Sequence, residues 1–84
     1  MPRPEGERAE IIKLRREKRN GRECIVCEGF PGWEKLDRLA SEMKRACATG
    51  GTVKGRAIEI QGDHRDALAA LLLGHGYRSV RAGG

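Results

Sequence analysis

Aromatic residues are nearly missing from this 84-residue chain: one Trp, one Tyr and one Phe make up 4% of it. None of them interleaves with the basic residues, so a platform for stacking successive nucleobases is not signalled. No run of about 18 apolar residues occurs, so no segment is expected to cross a membrane as a helix. The opening Met-Pro-Arg-Pro-Glu-Gly-Glu has no apolar core of the kind a secretory signal needs. The three cysteines are an odd number, which together with that start favours reduced thiols in a cytoplasm over a disulfide framework. Histidine is confined to His64 and His75. No third member of a catalytic triad, no paired carboxylates and no phosphate loop accompany them, so neither an enzyme nor a bound cofactor is expected.

What the chain has is localised positive charge. Its net charge is +5, with 17 basic residues against 12 acidic ones. Lys13, Arg15, Arg16, Lys18, Arg19 and Arg22 crowd into one ten-residue window that holds a single acid, Glu17. That window alone carries the whole excess, the electrostatic footprint expected for a polyanion partner.

The same window reads as a hairpin. Ile11 to Arg19 forms one strand, Asn20-Gly21 is the strongest short-range turn signal, and Arg22 to Glu28 forms the second strand. A two-residue turn sets Arg19 opposite Arg22, Lys18 opposite Glu23, Arg16 opposite Ile25 and Leu14 opposite Cys27. Ile12, Leu14, Ile25 and Cys27 then share one face near the open end, so the hairpin is anchored in a core and sends a charged tip into solvent. Lysines and arginines also dress strand edges against aggregation, but that explains one or two cations better than six.

Beyond the turn Gly29-Phe30-Pro31-Gly32, the spacing predicts a helix from about Trp33 to Cys47. Leu36, Leu39, Ala40, Met43 and Cys47 form its apolar stripe, and Glu34–Arg38 and Arg38–Glu42 are expected as pairs on its outside. Gly50-Gly51 is expected to cap that helix and turn the chain. Two short strands follow, about Gly55, with Ile58 and Ile60 inward. Asp63 stands where an N-cap would, Asp66 completes a weak capping box, and a second helix runs from about His64 to Leu73 with Leu68, Leu71 and Leu72 buried. Tyr77 to Ala82 is the last strand. The order β-β-α-β-β-α-β, with two helices each burying one stripe, gives an α/β (α+β) two-layer sandwich preceded by a flexible tail over residues 1–10.

Cys24 and Cys27 have the C-x-x-C spacing of zinc and redox sites, a competing reading. Residues three apart on a strand point to opposite faces, and no second ligand pair lies at metal spacing, so no metal site is expected.

The stretch Thr49 to Arg65, TGGTVKGRAIEIQGDHR, resembles the signature of the eukaryotic translation initiation factor 1 (SUI) family, which also has bacterial and archaeal members. Arg19-Asn20-Gly21-Arg22 is similar to that family's basic hairpin loop, and the resemblance covers residues 11–84. It implies a mixed, mainly antiparallel sheet with both helices on one face. It also implies a monomer that binds the small ribosomal subunit near the P site, beside mRNA and initiator tRNA, and acts in start-codon selection. By match to the loop, Lys18, Arg19, Asn20, Gly21 and Arg22 are the candidate RNA-binding residues, with Arg16 beside them on the hairpin. Lys35, Arg38, Lys44 and Arg45 are weaker candidates, on the first helix that the family lays near ribosomal RNA. A module that binds tRNA or other structured RNA, or that modulates translation outside ordinary initiation, is the alternative.

Overall fold

Asn20 and Gly21 both take positive φ, 52° and 78°, as a two-residue type I′ hairpin turn requires. In the computed structural model, which describes residues 11–31 and 35–82 (for Arg19 the backbone alone), this turn joins β1 (Ile11–Arg19) to β2 (Arg22–Glu28). The register follows from the turn: Arg19 faces Arg22, Arg16 faces Ile25 and Leu14 faces Cys27. After the hairpin come α1 (Leu36–Cys47), β3 (Gly51–Lys54), β4 (Ala57–Gln61), α2 (Arg65–Gly74) and β5 (Arg78–Ala82). The expected tail over residues 1–10, the helix start at Trp33, its neighbours Gly32 and Glu34, and the closing Gly83-Gly84 lie outside the described residues.

The five strands form one sheet in the order β3-β4-β2-β1-β5, antiparallel except for the parallel pair β1 and β5. Both helices cover the same face. Ile12, Leu14, Ile25, Cys27, Ile58 and Ile60 meet Leu36, Leu39, Ala40, Met43, Leu68 and Leu72 there in one buried cluster. Each fully buried aliphatic side chain is worth roughly 1.5–3 kcal/mol, and the alternation along each strand puts all six inward residues on the helix side. Tyr77 precedes β5 rather than starting it, and its ring meets Phe30 edge-on at 5.5 Å between centroids. Leu71 is only partly buried, at the margin of the cluster.

The helix ends differ from the sequence expectation. Helix α2 starts one residue later than expected, with His64 at its N-cap position and no capping hydrogen bond from the His64 side chain. Asp63 accepts at the helix start from the backbone N–H of Arg65, two residues on, and also takes the Arg65 guanidinium as a two-pronged partner at 2.8 and 3.0 Å. The guanidinium hydrogen bond, with desolvation opposing it, holds the Asp63 carboxyl below its ordinary range. Helix α1 ends in a Schellman motif, with Thr49 N–H donating to the Lys44 carbonyl at 3.0 Å and Ala48 N–H to that of Arg45 at 3.2 Å. The left-handed position of this motif falls on Ala48 (φ 53°), not on the glycine pair. Alanine is strained there, so Ala48→Gly is expected to stabilise the domain by about 0.5–1 kcal/mol. Thermal melting of the two proteins side by side checks this; a lower melting temperature for the variant contradicts it.

Candidate nucleic-acid interface

Pairing of β1 with β5 runs from Ile11 to Arg15, and pairing of β2 with β4 from Cys24 to Cys27. Among the described residues, 16–22 therefore have ladder partners only within the hairpin, which projects as a two-stranded arm from the end of the sheet. Its base is held by Gly62 N–H, which donates to the Glu23 carbonyl at 2.8 Å.

Not all of the hairpin's cations are free on this arm. Arg15, on the sheet face away from the helices, is held between two carboxylates. It bonds Glu17 through Nη1 and Glu28 Oε1 through Nη2 at 3.3 Å. Its buried Nε stands 3.3 Å from the other Glu28 oxygen without hydrogen-bonding geometry. Val26, flanked by Arg15 and Glu59 in the register, is buried on this outer face. Arg16 lies on the helix side of the arm, 3.6 Å from Glu23. Lys18 and Arg22 are exposed and make no ion pair among the described residues, and the turn residues Asn20 and Gly21 are exposed between them. The backbone of Arg19 ends β1 opposite Arg22.

The candidates on α1 divide between the two ends of the molecule. The helix runs toward the hairpin end, because Gly50 beyond it accepts from Gln61 N–H at 3.0 Å and Gln61 pairs with Cys24 at the arm's base. Lys44 and Arg45 therefore lie at the same end of the sheet as the arm. Lys35 and Arg38 lie at the opposite end, where they line a cleft with Pro31, Glu42, His75 and Tyr77. The expected Arg38–Glu42 pair does not form. Glu42 instead meets His75 Nε2 at 2.7 Å, a contact between helix α1 and the exit of α2 that the local spacing does not reveal. Glu34, the other expected partner of Arg38, lies outside the described residues.

Arg56 was not among the sequence candidates. It stands exposed in the turn between β3 and β4, next to Gly55 at φ 59°. Lys54-Gly55-Arg56 is a visible signal for such a cationic turn, but Ala57 starts the end of β4 remote from the arm, and Lys54 is paired with Glu59 at 3.6 Å.

The zinc and redox reading fails on geometry. Cys27 is fully buried on the helix face, while Cys24 is half-buried on the opposite face, so they do not converge on one ion. Burial, then the nearby Cys47, pushes the Cys27 thiol up to about 12, and burial also raises that of Cys47. Thiols with so little thiolate are poor metal ligands and poor nucleophiles. Among the described residues no group of three or more His, Cys, Asp or Glu side chains is placed to hold a metal. No described helix is long and apolar enough to cross a membrane.

The chain is similar to known proteins along most of its length. Residues 8–78 match the family model described as translation initiation factor SUI1. A protein translation factor SUI1 homolog of Sulfurisphaera tokodaii is 46% identical over 70 residues, covering 81% of this chain and 70% of the relative. A homolog of the same description from Ignicoccus hospitalis is 49% identical over 70 residues, 81% of this chain and 67% of the relative. The uncharacterized protein YciH of Escherichia coli is 39% identical over 83 residues, 98% of this chain and 77% of its own. With the family model matching most of the chain and the five-stranded sheet carrying its signature stretch in β3, β4 and the start of α2, the chain belongs to the translation initiation factor SUI1 family.

Proposed function

We propose that this protein acts as a translation initiation factor on the small ribosomal subunit, near the P site, with the projecting hairpin as its RNA-contacting part and start-codon selection as its output. The observation that carries the reading is the arm itself: two exposed cations, Lys18 and Arg22, bracket a tight turn beyond the edge of the sheet. Asn20 and Gly21 at that turn, and Arg19 beside it, complete the contact surface. A narrow cationic arm on a rigid body suits insertion between structured RNA elements, where phosphates are reached and bases need not be stacked. Arg16, exposed on the helix side of the arm 3.6 Å from Glu23, is a further cation of the contact surface. Lys44 and Arg45 add a second contact at the same end, and Lys35 and Arg38 extend it along α1. The reading takes as partner an initiation complex with mRNA and initiator tRNA in the cytoplasm, and membership of a translation initiation factor family supports it. Binding and occlusion are sufficient for this role, and no catalytic step or cofactor enters it.

Toeprinting on cognate and near-cognate start codons tests the functional output. Adding the protein is expected to change the ratio of near-cognate to cognate initiation complexes by several-fold. Equal ratios with and without it, at concentrations where it is bound to subunits, would contradict a role in start-codon selection.

A further inference from the structure

The sheet face away from the helices holds a hollow at the base of the arm, about 420 Å³, bordered by Asn20, Arg22, Glu23, Cys24, Glu59 and Gln61, with Glu23 engaged by Arg16 at 3.6 Å. The register builds it. Cys24 lies opposite Gln61, so a small side chain forms the floor between the arm and β4. Gly50 faces Gln61 from the next position outward and has no side chain to cover the amide; a Cβ there would sit 3.7 Å from it. The Gln61 side chain is exposed, and Glu59, two residues back on the same face, is balanced by Lys54 at 3.6 Å. Arg22 overhangs the hollow from the arm and makes no ion pair among the described residues.

We propose that this hollow takes one unpaired nucleotide of the RNA partner, with Arg22 on its phosphate and Gln61 and Glu59 on the edge of its base. An amide offers a donor and an acceptor side by side, and a carboxylate accepts from the exocyclic amino group of adenine, cytosine or guanine. The volume suits a single small ligand and not a duplex. No aromatic residue borders the hollow, so the base is held by its edge, and a guanidinium beside two polar acceptors matches a nucleotide better than an apolar peptide side chain. The inference rests on the reading of the protein as an RNA-binding factor and adds to it a subsite that runs from Arg22 on the arm down to Gln61 of β4.

Cys24 lies in the floor of the hollow and reports on its occupancy. In the free protein it is expected to react with N-ethylmaleimide ahead of Cys27 and Cys47, whose thiols burial holds protonated. Pulse alkylation of the native protein with and without purified small ribosomal subunits, read by peptide mass spectrometry, gives the test. Bound subunits are expected to slow labelling of Cys24 on the order of tenfold, and Gln61→Ala to weaken subunit binding by about three- to tenfold. Cosedimentation of the same samples reads binding separately. Subunits that bind while Cys24 labels at its free rate would overturn the subsite and leave the functional reading intact. Protection of Cys24 combined with parental affinity of Gln61→Ala would overturn the base contact. Absence of any subunit binding would remove the functional reading and the subsite with it.

Discussion

Gly51→Ala is expected to destabilise the domain by about 3 kcal/mol, which for a chain of this size lowers the melting temperature on the order of 12–24 °C. Gly51 starts β3 opposite Ile60 of β4. A Cβ on it would lie 2.5 Å from the Glu59 carbonyl oxygen and 2.8 Å from Ile60 Cδ1. The Ile60 methyl can turn aside, but the carbonyl belongs to the strand ladder, so one strand must move. The adjacent Gly50 is different: a Cβ there meets only the Gln61 side chain at ordinary contact distance, 3.7 Å. Gly50→Ala is therefore expected to stay within about 0.5 kcal/mol of the parent. Thermal or urea unfolding of the two variants reads the contrast, and equal losses would refute the close-approach argument. The result bears on function because β4 braces β2, so loosening β3 and β4 loosens the base of the arm.

Replacing Lys18 and Arg22 together with alanine is expected to weaken binding to small ribosomal subunits by about 30- to 100-fold, while the melting temperature stays within about 2 °C of the parent. Both side chains are exposed, and neither makes an ion pair among the described residues, so folding does not depend on them. Arg15→Ala is the instructive contrast. Arg15 belongs to the same basic window, but Glu17 and Glu28 already occupy its guanidinium and it lies among half-buried neighbours. Its loss is expected to show in stability more than in affinity. An equal loss of affinity for the Arg15 variant and the double variant would mean that net charge, and not the exposed tip, governs binding.

Local chemistry made most of the fold legible in the sequence. Asn20-Gly21 fixed the hairpin register, because a two-residue turn with two positive φ values admits one pairing, and the alternation of Ile58 and Ile60 about Glu59 fixed the inward face of β4. The projection of the arm was also legible, since its apolar residues stop at Leu14 and Ile25. Features that depend on partners far along the chain were not. Glu42 turns to His75, 33 residues away, in place of the nearby Arg38. Asp63 serves both the guanidinium of Arg65 and its backbone N–H at the start of α2, a double role that the spacing alone does not reveal. The glycine pair suggested a helix cap, yet the cap falls on Ala48 and Gly51 serves the approach of two strands. The charge count of the window misled in one respect: carboxylates from the same hairpin, Glu17 and Glu28, hold the Arg15 guanidinium, so that this cation is engaged within the fold.

The central claim is that the arm's exposed cations contact phosphates of the small subunit. The salt dependence of subunit binding by the parent protein and by the Lys18→Ala, Arg22→Ala double variant tests it most directly. Each lost phosphate contact lowers the slope of log affinity against log salt by roughly 0.7–0.9, so the double variant is expected to be shallower by about 1.4–1.8. Parallel lines of the same slope would contradict the claim and move the RNA contact away from the hairpin.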